Sequence, residues 1–291
     1  SWYFSERLET DLHLDYRQQR GVGLGADVSY DLGPAGSGRL GGYHLRDEDP
    51  GRDAAGNAVP DDRHRLRFTH ELRPSPNTLA RVVVREQSDA LVLRDFFEPE
   101  YRGNPQPDSF LEIDRQFSNF GLSLLARPQI NEFFETVERL PDLKFVGYRQ
   151  QIGTSPLYYE SDNSAGWFRR RFANGAQPDY AAMRLDSFHQ VLLPQTYFGW
   201  LHVTPRAGGR YTHYGETDGF GTTLEDQDRW VFNTGMEVSF KASRVWKDAH
   251  SRLLDIHELR HIVEPSVNYV YVPSPNATPD QLPQFDQRLP S

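Results

Sequence analysis

Apolar and polar residues trade places at every step over long stretches of this chain. In Trp230-Val231-Phe232-Asn233-Thr234-Gly235-Met236-Glu237-Val238-Ser239-Phe240-Lys241, the even positions are mostly large and apolar, and the odd ones mostly small or polar. Leu8, Thr10, Leu12, Leu14 and Tyr16 alternate in the same way with Glu9, Asp11, His13 and Asp15. Val22, Leu24, Ala26, Val28, Tyr30 and Leu32 continue the pattern. Period two is the signature of a β-strand with one apolar face and one wet face. Many such strands, with no helical layer to cover them, need somewhere to put the apolar side. A closed barrel in a lipid bilayer is one such place.

The chain has 291 residues, with 37% hydrophobic and 13% aromatic content. Little hydrophobic material with many aromatics suits a barrel whose strands turn half their side chains to a polar lumen and gather aromatics at the two interfaces. A soluble β-sandwich or propeller can be as aromatic. The net charge of −9 argues against nucleic acid as a partner. Arg169-Arg170-Arg171, the one basic run, is expected to meet solvent at a strand end. With no cysteine there is no disulfide framework and no thiolate metal site. No run approaches the roughly 18 apolar residues of a transmembrane helix. The chain opens directly into a strand at Trp2-Tyr3-Phe4, without a signal peptide, and ends in a Pro-rich tail. It reads as a piece of a longer protein, residues 1–291 being part of one barrel domain whose first and last strands are expected outside it.

About 14 segments have strand character. They lie near 3–18, 20–33, 37–48, 62–74, 77–89, 108–118, 120–128, 131–140, 142–151, 155–171, 180–193, 196–214, 226–246 and 257–273. A tilted strand of about 10 residues crosses an apolar band of roughly 25 Å. The segments at 196–214 and 226–246 exceed that and are expected to project beyond a membrane. Residues 18–21, 73–77 and Pro141-Asp142 read as tight turns, and 47–61, 98–108 and 215–228 as long loops. Ser88-Asp89, followed by Leu91, Leu93, Phe96 and Phe97, reads as a capped short helix inside a loop.

His257-Glu258-Leu259-Arg260-His261 matches the H-E-x-x-H pattern of zinc hydrolases, which needs a helix to bring both histidines to one face. Here Pro265 and the β-rich Val267-Asn268-Tyr269-Val270-Tyr271-Val272 follow. On one strand the two histidines would stand about 13 Å apart, too far to share a metal. No cofactor and no metal are expected. Asp89, Asp95, Glu98 and Glu100 read as an acidic loop on a solvated surface. Gly21-x-Gly-x-Gly25 lies inside an alternating strand, so it reads as small residues on a strand face and not as a nucleotide loop. Trp2, Tyr3, Trp167, Phe168, Tyr197, Trp200, Tyr211, Tyr214, Trp230 and Trp246 read as interfacial girdles rather than a sugar-stacking platform.

Several stretches resemble the LPS-assembly outer-membrane protein family (LptD, also called OstA or organic solvent tolerance protein). Residues 259–273, Leu-Arg-His-Ile-Val-Glu-Pro-Ser-Val-Asn-Tyr-Val-Tyr-Val-Pro, are similar to that family's R-H-x-x-E-P-x-x-x-Y-x-Y-x-P strand. Leu282-Pro283-Gln284-Phe285-Asp286 is similar to its following P-x-F-D-like segment. Arg139-Leu140-Pro141-Asp142-Leu143, leading to Thr154-Ser155-Pro156-Leu157-Tyr158-Tyr159, resembles its R-L-P-x-L strand and hairpin. Ser88-Asp89 through Arg94-Asp95-Phe96-Phe97 resembles its S-D loop helix. The matches run in the family's order over about residues 80–290. The resemblance implies a large all-β, antiparallel transmembrane barrel in the bacterial outer membrane. It implies insertion of lipopolysaccharide into the outer leaflet, an outer-membrane lipoprotein plug as partner, periplasmic LPS-bridge components, and surrounding membrane lipids. The family's lateral seam and disulfide cysteines have no counterpart in this stretch.

The expected function is therefore transport, not catalysis. Lumen-facing candidates are Glu9, Asp11, His13, Asp15, Asn233, Glu237, Lys241, Glu264 and Asn268, which would hydrate a passing saccharide or meet the plug. Lipid-facing candidates are Trp230, Phe232, Met236, Val238, Phe240, Tyr269 and Tyr271. A bulge at Pro265 is expected to turn Glu264 and Asn268 toward the interior. The rival readings are a porin or plugged transporter, and a soluble carbohydrate-binding β protein.

Overall fold

The structure, a computed structural model, describes residues 2–53, 56–219, 225–250, 253, 255, 257–278, 281–283 and 285. The strands are β1 (Trp2–Ser5), β2 (Leu8–Arg17), β3 (Gly21–Asp31), β4 (Ser37–Arg46), β5 (Asp62–Ser75), β6 (Thr78–Gln87), β7 (Phe110–Gln116), β8 (Phe120–Arg127), β9 (Thr136–Gln151), β10 (Tyr158–Arg171) and β11 (Tyr180–Leu192). There follow β12 (Gln195–Tyr197), β13 (Leu201–Tyr214), β14 (Asp218–Gly219), β15 (Gln227–Phe240), β16 (Ala242–Trp246), β17 (Leu259–Val263) and β18 (Ser266–Tyr271). Two short helices, α1 (Val92–Phe96) and α2 (Glu98–Gly103), sit between β6 and β7. Sixteen strands form one antiparallel sheet in which β1 to β11, β13, β15 and β18 pair in chain order, with β12 on β13 and β14 on β11. β16 and β17 form a separate pair. Among the described residues no pairing joins β18 to β1, so the sheet is an open wall and not a closed barrel.

This meander follows from the alternation. Each strand extends with one face apolar, and its neighbour in sequence is its cheapest antiparallel partner. Following the register from strand to strand sorts the whole sheet into two faces. One carries Leu12, Leu24, Leu40, Leu66, Leu111, Leu122, Leu143, Trp167, Met183, Phe232 and Tyr269, all exposed. On β2 the exposure reaches 75% at Leu14 and 77% at Tyr16. The other face carries charges and the buried residues Tyr43, Leu45, Arg63, Phe168, Ala182 and Tyr214. The two rims differ as well. The long connections β4–β5, β6–β7, β8–β9, β10–β11 and β13–β15 leave from one rim, together with the short turn 18–20 and the tail after β18. The turns 6–7, 32–36, 76–77, 117–119 and 152–157 lie at the other, together with 193–200 and the connection from β15 to β18 that carries β16 and β17.

Both clusters of buried apolar residues lie on the polar face, against the long-loop rim. In the first, Val92, Leu93 and Phe96 of α1 cover Tyr43 and Leu45 of β4, flanked by Phe97 and Tyr101. In the second, Ala277, Leu282 and Phe285 of the tail cover Phe168, Ala182 and Tyr214. Tyr43 reaches across β3, where a Cβ at Gly23 would overlap its ring and one at Gly25 would come within 2.9 Å of it. The Gly21-x-Gly-x-Gly25 run thus makes room for an aromatic lid.

Five sequence expectations change. The segment 3–18 is the hairpin of β1 and β2, turning at Glu6-Arg7. The expected turn at Pro141-Asp142 is absent, and β9 runs through it from Thr136 to Gln151. Proline cannot donate to the ladder, so the register shifts there against both neighbours, between Leu125 and Arg127 and between Gly166 and Phe168, while pairing resumes on either side. The segment 196–214 contains a small hairpin, β12 on the start of β13. The segments 226–246 and 257–273 each break, at Lys241 and at Glu264-Pro265. The ladder bends where the two breaks face each other, bridged by the Phe240 N–H donating to Pro265 O at 3.3 Å.

Candidate functional site

The polar face is an almost continuous ladder of paired charges. Starting at β2, His13 Nε2 lies 3.0 Å from Asp27 Oδ2 of β3. Asp27 also accepts from Arg67 of β5 at 2.8 Å. Further round the sheet, Arg81 donates to Glu112 at 2.9 Å, Lys144 lies 3.1 Å from Asp162, and Gln190 donates to Glu160 at 2.8 Å. Asp186 accepts from Thr212 at 2.6 Å and lies 3.2 Å from Arg210 Nε. Asn233 donates to Gln190 at 3.1 Å, and Arg206 to Asn268 at 2.8 Å. Charged and polar groups on adjacent or next-but-one strands satisfy each other across the sheet. Where polar residues fall on the apolar face they also pair: Tyr159 with His189 at 2.5 Å, His189 with Ser187 at 2.7 Å, and Ser187 with Asn163 at 2.6 Å.

One knot anchors the helices. Arg63 of β5 is fully buried. Its Nε and Nη2 donate to Asp89 at 3.0 and 2.8 Å, and its Nη1 donates to Asp47 at 3.0 Å and to Asp95 at 2.8 Å. Arg20 donates to the same Asp47 oxygen at 2.8 Å. The Phe96 ring lies 4.8 Å below the Arg63 guanidinium and 5.1 Å from that of Arg17. Burial by itself would raise the Asp47 carboxyl. Hydrogen bonds from Arg63, from the Asp49 N–H and from Arg20 outweigh it and hold the group below the usual carboxylate range. The acidic loop residues Asp89 and Asp95 are therefore structural counter-ions and not a solvated surface. Asp89 accepts from the Leu91 N–H at 2.8 Å just ahead of α1, and no side chain caps that helix. Glu100 joins the knot's neighbour, accepting from Arg65 at 2.5 Å and Arg67 at 3.0 Å, and Glu98 pairs with Arg102.

The sequence reading missed this knot. The available signal was Arg63, Arg65 and Arg67, three arginines at period two on one strand face. Such a row demands carboxylates in front of it, and Asp47, Asp89, Asp95 and Glu100 all come from loops and helices far along the chain.

The residues singled out from sequence fall as follows. Glu9, Asp11, His13 and Asp15 share the polar face of β2, and Asn233, Glu237 and Asn268 that of β15 and β18, with Glu237 opposite Asn268. Lys241 and Glu264 lie at the bend and form an ion pair. Trp230, Phe232, Met236, Val238 and Phe240 lie on the apolar face of β15, where Met236 faces Tyr269 and Thr234 faces Tyr271. The H-E-x-x-H residues do not form a helix: His261 is in β17 and stacks on Trp246, whereas His257 precedes the strand and lies beside Asp255. Among the described residues no three of His, Asp or Glu could hold a metal ion. Trp200 packs on Phe240 at one rim, and Tyr211 on Trp230 at the other. Trp167, Tyr197 and Trp246 are exposed, while Phe168 and Tyr214 are core residues of the polar face and not girdle. The side chains of Trp2 and Tyr3, and the residues Gln284 and Asp286, lie outside those described. Arg169, Arg170 and Arg171 end β10 as expected, with Arg169 exposed and the other two half-buried, and they pair with Asp179 and Glu135.

A wide antiparallel meander with a charged, loop-covered face and a bare apolar face is a segment of transmembrane β-barrel wall. Among the described residues no helix is long and apolar enough to cross a membrane. A family model described as LPS transport system D, LptD, matches residues 61–291. The chain belongs to the LptD family, a family of transport proteins and not of enzymes. No curated protein matches it. The matched region begins at the end of the long loop ahead of β5, yet β1 to β4 continue the same sheet without interruption.

Proposed function

We propose that this chain forms part of the wall of a bacterial outer-membrane barrel that passes lipopolysaccharide into the outer leaflet. Residues 1–291 belong to one barrel domain. The polar face lines the lumen and the apolar face meets membrane lipids. The observation that carries this reading is the division of the sheet: loops and tail fold onto the charged face only, and the opposite face keeps its large apolar side chains uncovered. In water such an uncovered band would drive association, whereas in a bilayer it is the surface required. The long-loop rim points outward from the cell, since barrels carry short turns on the periplasmic side.

In this reading Glu9, Asp11, His13, Asp15, Asn233, Glu237 and Asn268 hydrate the saccharide or touch an outer-membrane lipoprotein plug. The acyl chains leave sideways into lipid. Periplasmic LPS-bridge components deliver the substrate from below. Lys241 and Glu264 hold the bend that directs the β16–β17 arm away from the sheet. Photo-crosslinkers at Asn233 and Asn268 of the full-length protein should capture lipopolysaccharide or the plug, and those at Met236 and Tyr269 should capture neither. Depletion of the protein should lower surface lipopolysaccharide. Unchanged surface glycolipid, with steady ion conductance by the purified barrel, would favour a porin instead.

A further inference from the structure

A cavity of about 350 Å³ opens on the polar face between β5, β6 and the end of α2. Three arginines line it: Arg65, Arg67 and Arg85. Arg67 is shared by Asp27 and Glu100, and Arg65 is held by Glu100 and lies over the Phe97 ring at 3.2 Å. Among the described residues Arg85 has no carboxylate partner. Its guanidinium reaches only the carbonyls of Val84 and Phe68, at 3.3 and 3.5 Å. The charges acting on it are the repulsive Arg67 and Arg65 and the attractive Glu100. A half-buried guanidinium beside two others, with Glu100 and Asp27 as the carboxylates that Arg65 and Arg67 meet, leaves a positive excess that suits a compact oxyanion accepting from guanidinium donors.

We propose that this pocket binds a phosphate-type oxyanion, and that the ligand is a phosphate group of the glycolipid that passes along the polar face. The second clause rests on the transport reading above. A fork-shaped guanidinium recognises phosphate by two parallel N–H donors, and with Nη1 of Arg85 turned to the two carbonyls, its Nε and Nη2 edge is the one that would meet the anion. Asn104 stands at the pocket edge. Glu100 keeps Arg65 and Arg67 extended toward the pocket and lowers the local charge enough that the anion is held and released.

The test uses the full-length protein with its partner in detergent, carrying a photoreactive residue at Asn104 or, as reference, at Asn233. The probes are lipopolysaccharide, the same material enzymatically dephosphorylated, and inorganic phosphate. Capture at Asn104 should fall about tenfold with the dephosphorylated glycolipid, and by a similar factor in Arg85→Gln, the effect of losing a charge-assisted hydrogen bond. Arg85→Lys should recover part of it. With Arg85 native, millimolar inorganic phosphate should compete at the Asn104 photoreactive position and not at the Asn233 one, a comparison that needs no arginine variant. Competition by phosphate without any glycolipid capture at Asn104 would assign the pocket to free phosphate and overturn the glycolipid clause. Equal capture of both glycolipids with no competition would overturn the pocket as an oxyanion site, while capture at Asn233 would leave the transport reading standing. Silence at both positions would overturn both.

Discussion

Arg63 and Asp89 meet side-on, two parallel hydrogen bonds of 3.0 and 2.8 Å joining a wholly buried guanidinium on β5 to a carboxylate in the loop ahead of α1. The same guanidinium holds Asp47 and Asp95. One side chain therefore ties two long loops to the wall. Arg63→Met should leave three carboxylates without their common counter-ion. Breaking a buried pair from one side costs about 3–5 kcal/mol, because an uncompensated charge remains. Residues 88–109 of the full-length barrel should become the first site of protease cleavage, with the strands still resistant.

Asp47 gives the knot a pH dependence. Its folded carboxyl is held below the ordinary value, so the unfolded form takes up a proton first as pH falls. The stabilisation is complete above about pH 4, the ordinary aspartate range, and is lost as pH falls from there through the lowered folded value. Amide exchange of α1 should be unchanged between neutral and mildly acidic pH and should accelerate below that range. Asp47→Asn should show faster exchange at neutral pH and a weaker acid dependence.

Val238 faces Val203 and Val267 across the two neighbouring strands, on the apolar side. Val238→Arg should cost about 2–4 kcal/mol if the residue sits near the bilayer midplane. Spin labels at positions 236, 238 and 240 should be quenched by oxygen in preference to a water-soluble agent. The reverse preference would place lipid on the other face.

Phe285 packs 5.7 Å from Phe168 and 5.4 Å from Tyr180, ring centre to ring centre, and is almost fully buried. Phe285→Ala should remove about 3–5 kcal/mol of tail docking, the usual cost for a buried aromatic. The absence of native cysteine makes this easy to read. A nitroxide on Thr278→Cys should show a sharp, mobile spectrum in the alanine variant and a broad one in the parent.

The H-E-x-x-H stretch is expected to be inert. His261 belongs to a strand and stacks on Trp246, with His257 in a different setting. Glu258→Gln should leave glycolipid transport unchanged. Stoichiometric zinc lost with His257→Ala or His261→Ala would contradict this.

Alternation is a local property, so the chain alone decided that Leu12, Leu14 and Tyr16 would share a face opposite Asp11, His13 and Asp15, and that Met236 and Glu237 would point apart. It also set the sheet's order, because neighbours in sequence are the partners with the least chain to close. The ordered family motifs were legible for the same reason: each is a short run whose residues act on adjacent strands. What the tertiary structure alone decided is everything that depends on distant groups arriving at one point. Arg63 looks in sequence like one of several strand arginines; only folding brings Asp47, Asp89 and Asp95 around it. Phe285 sits in a polar tail, and its pocket is built from β10, β11 and β13. Pro141 looks like a turn until the strands on both sides supply pairing strong enough to carry β9 past it. Burial and charge pairing are properties of the assembled wall, set by residues far apart in the chain, and a reading confined to neighbours in sequence has no access to them.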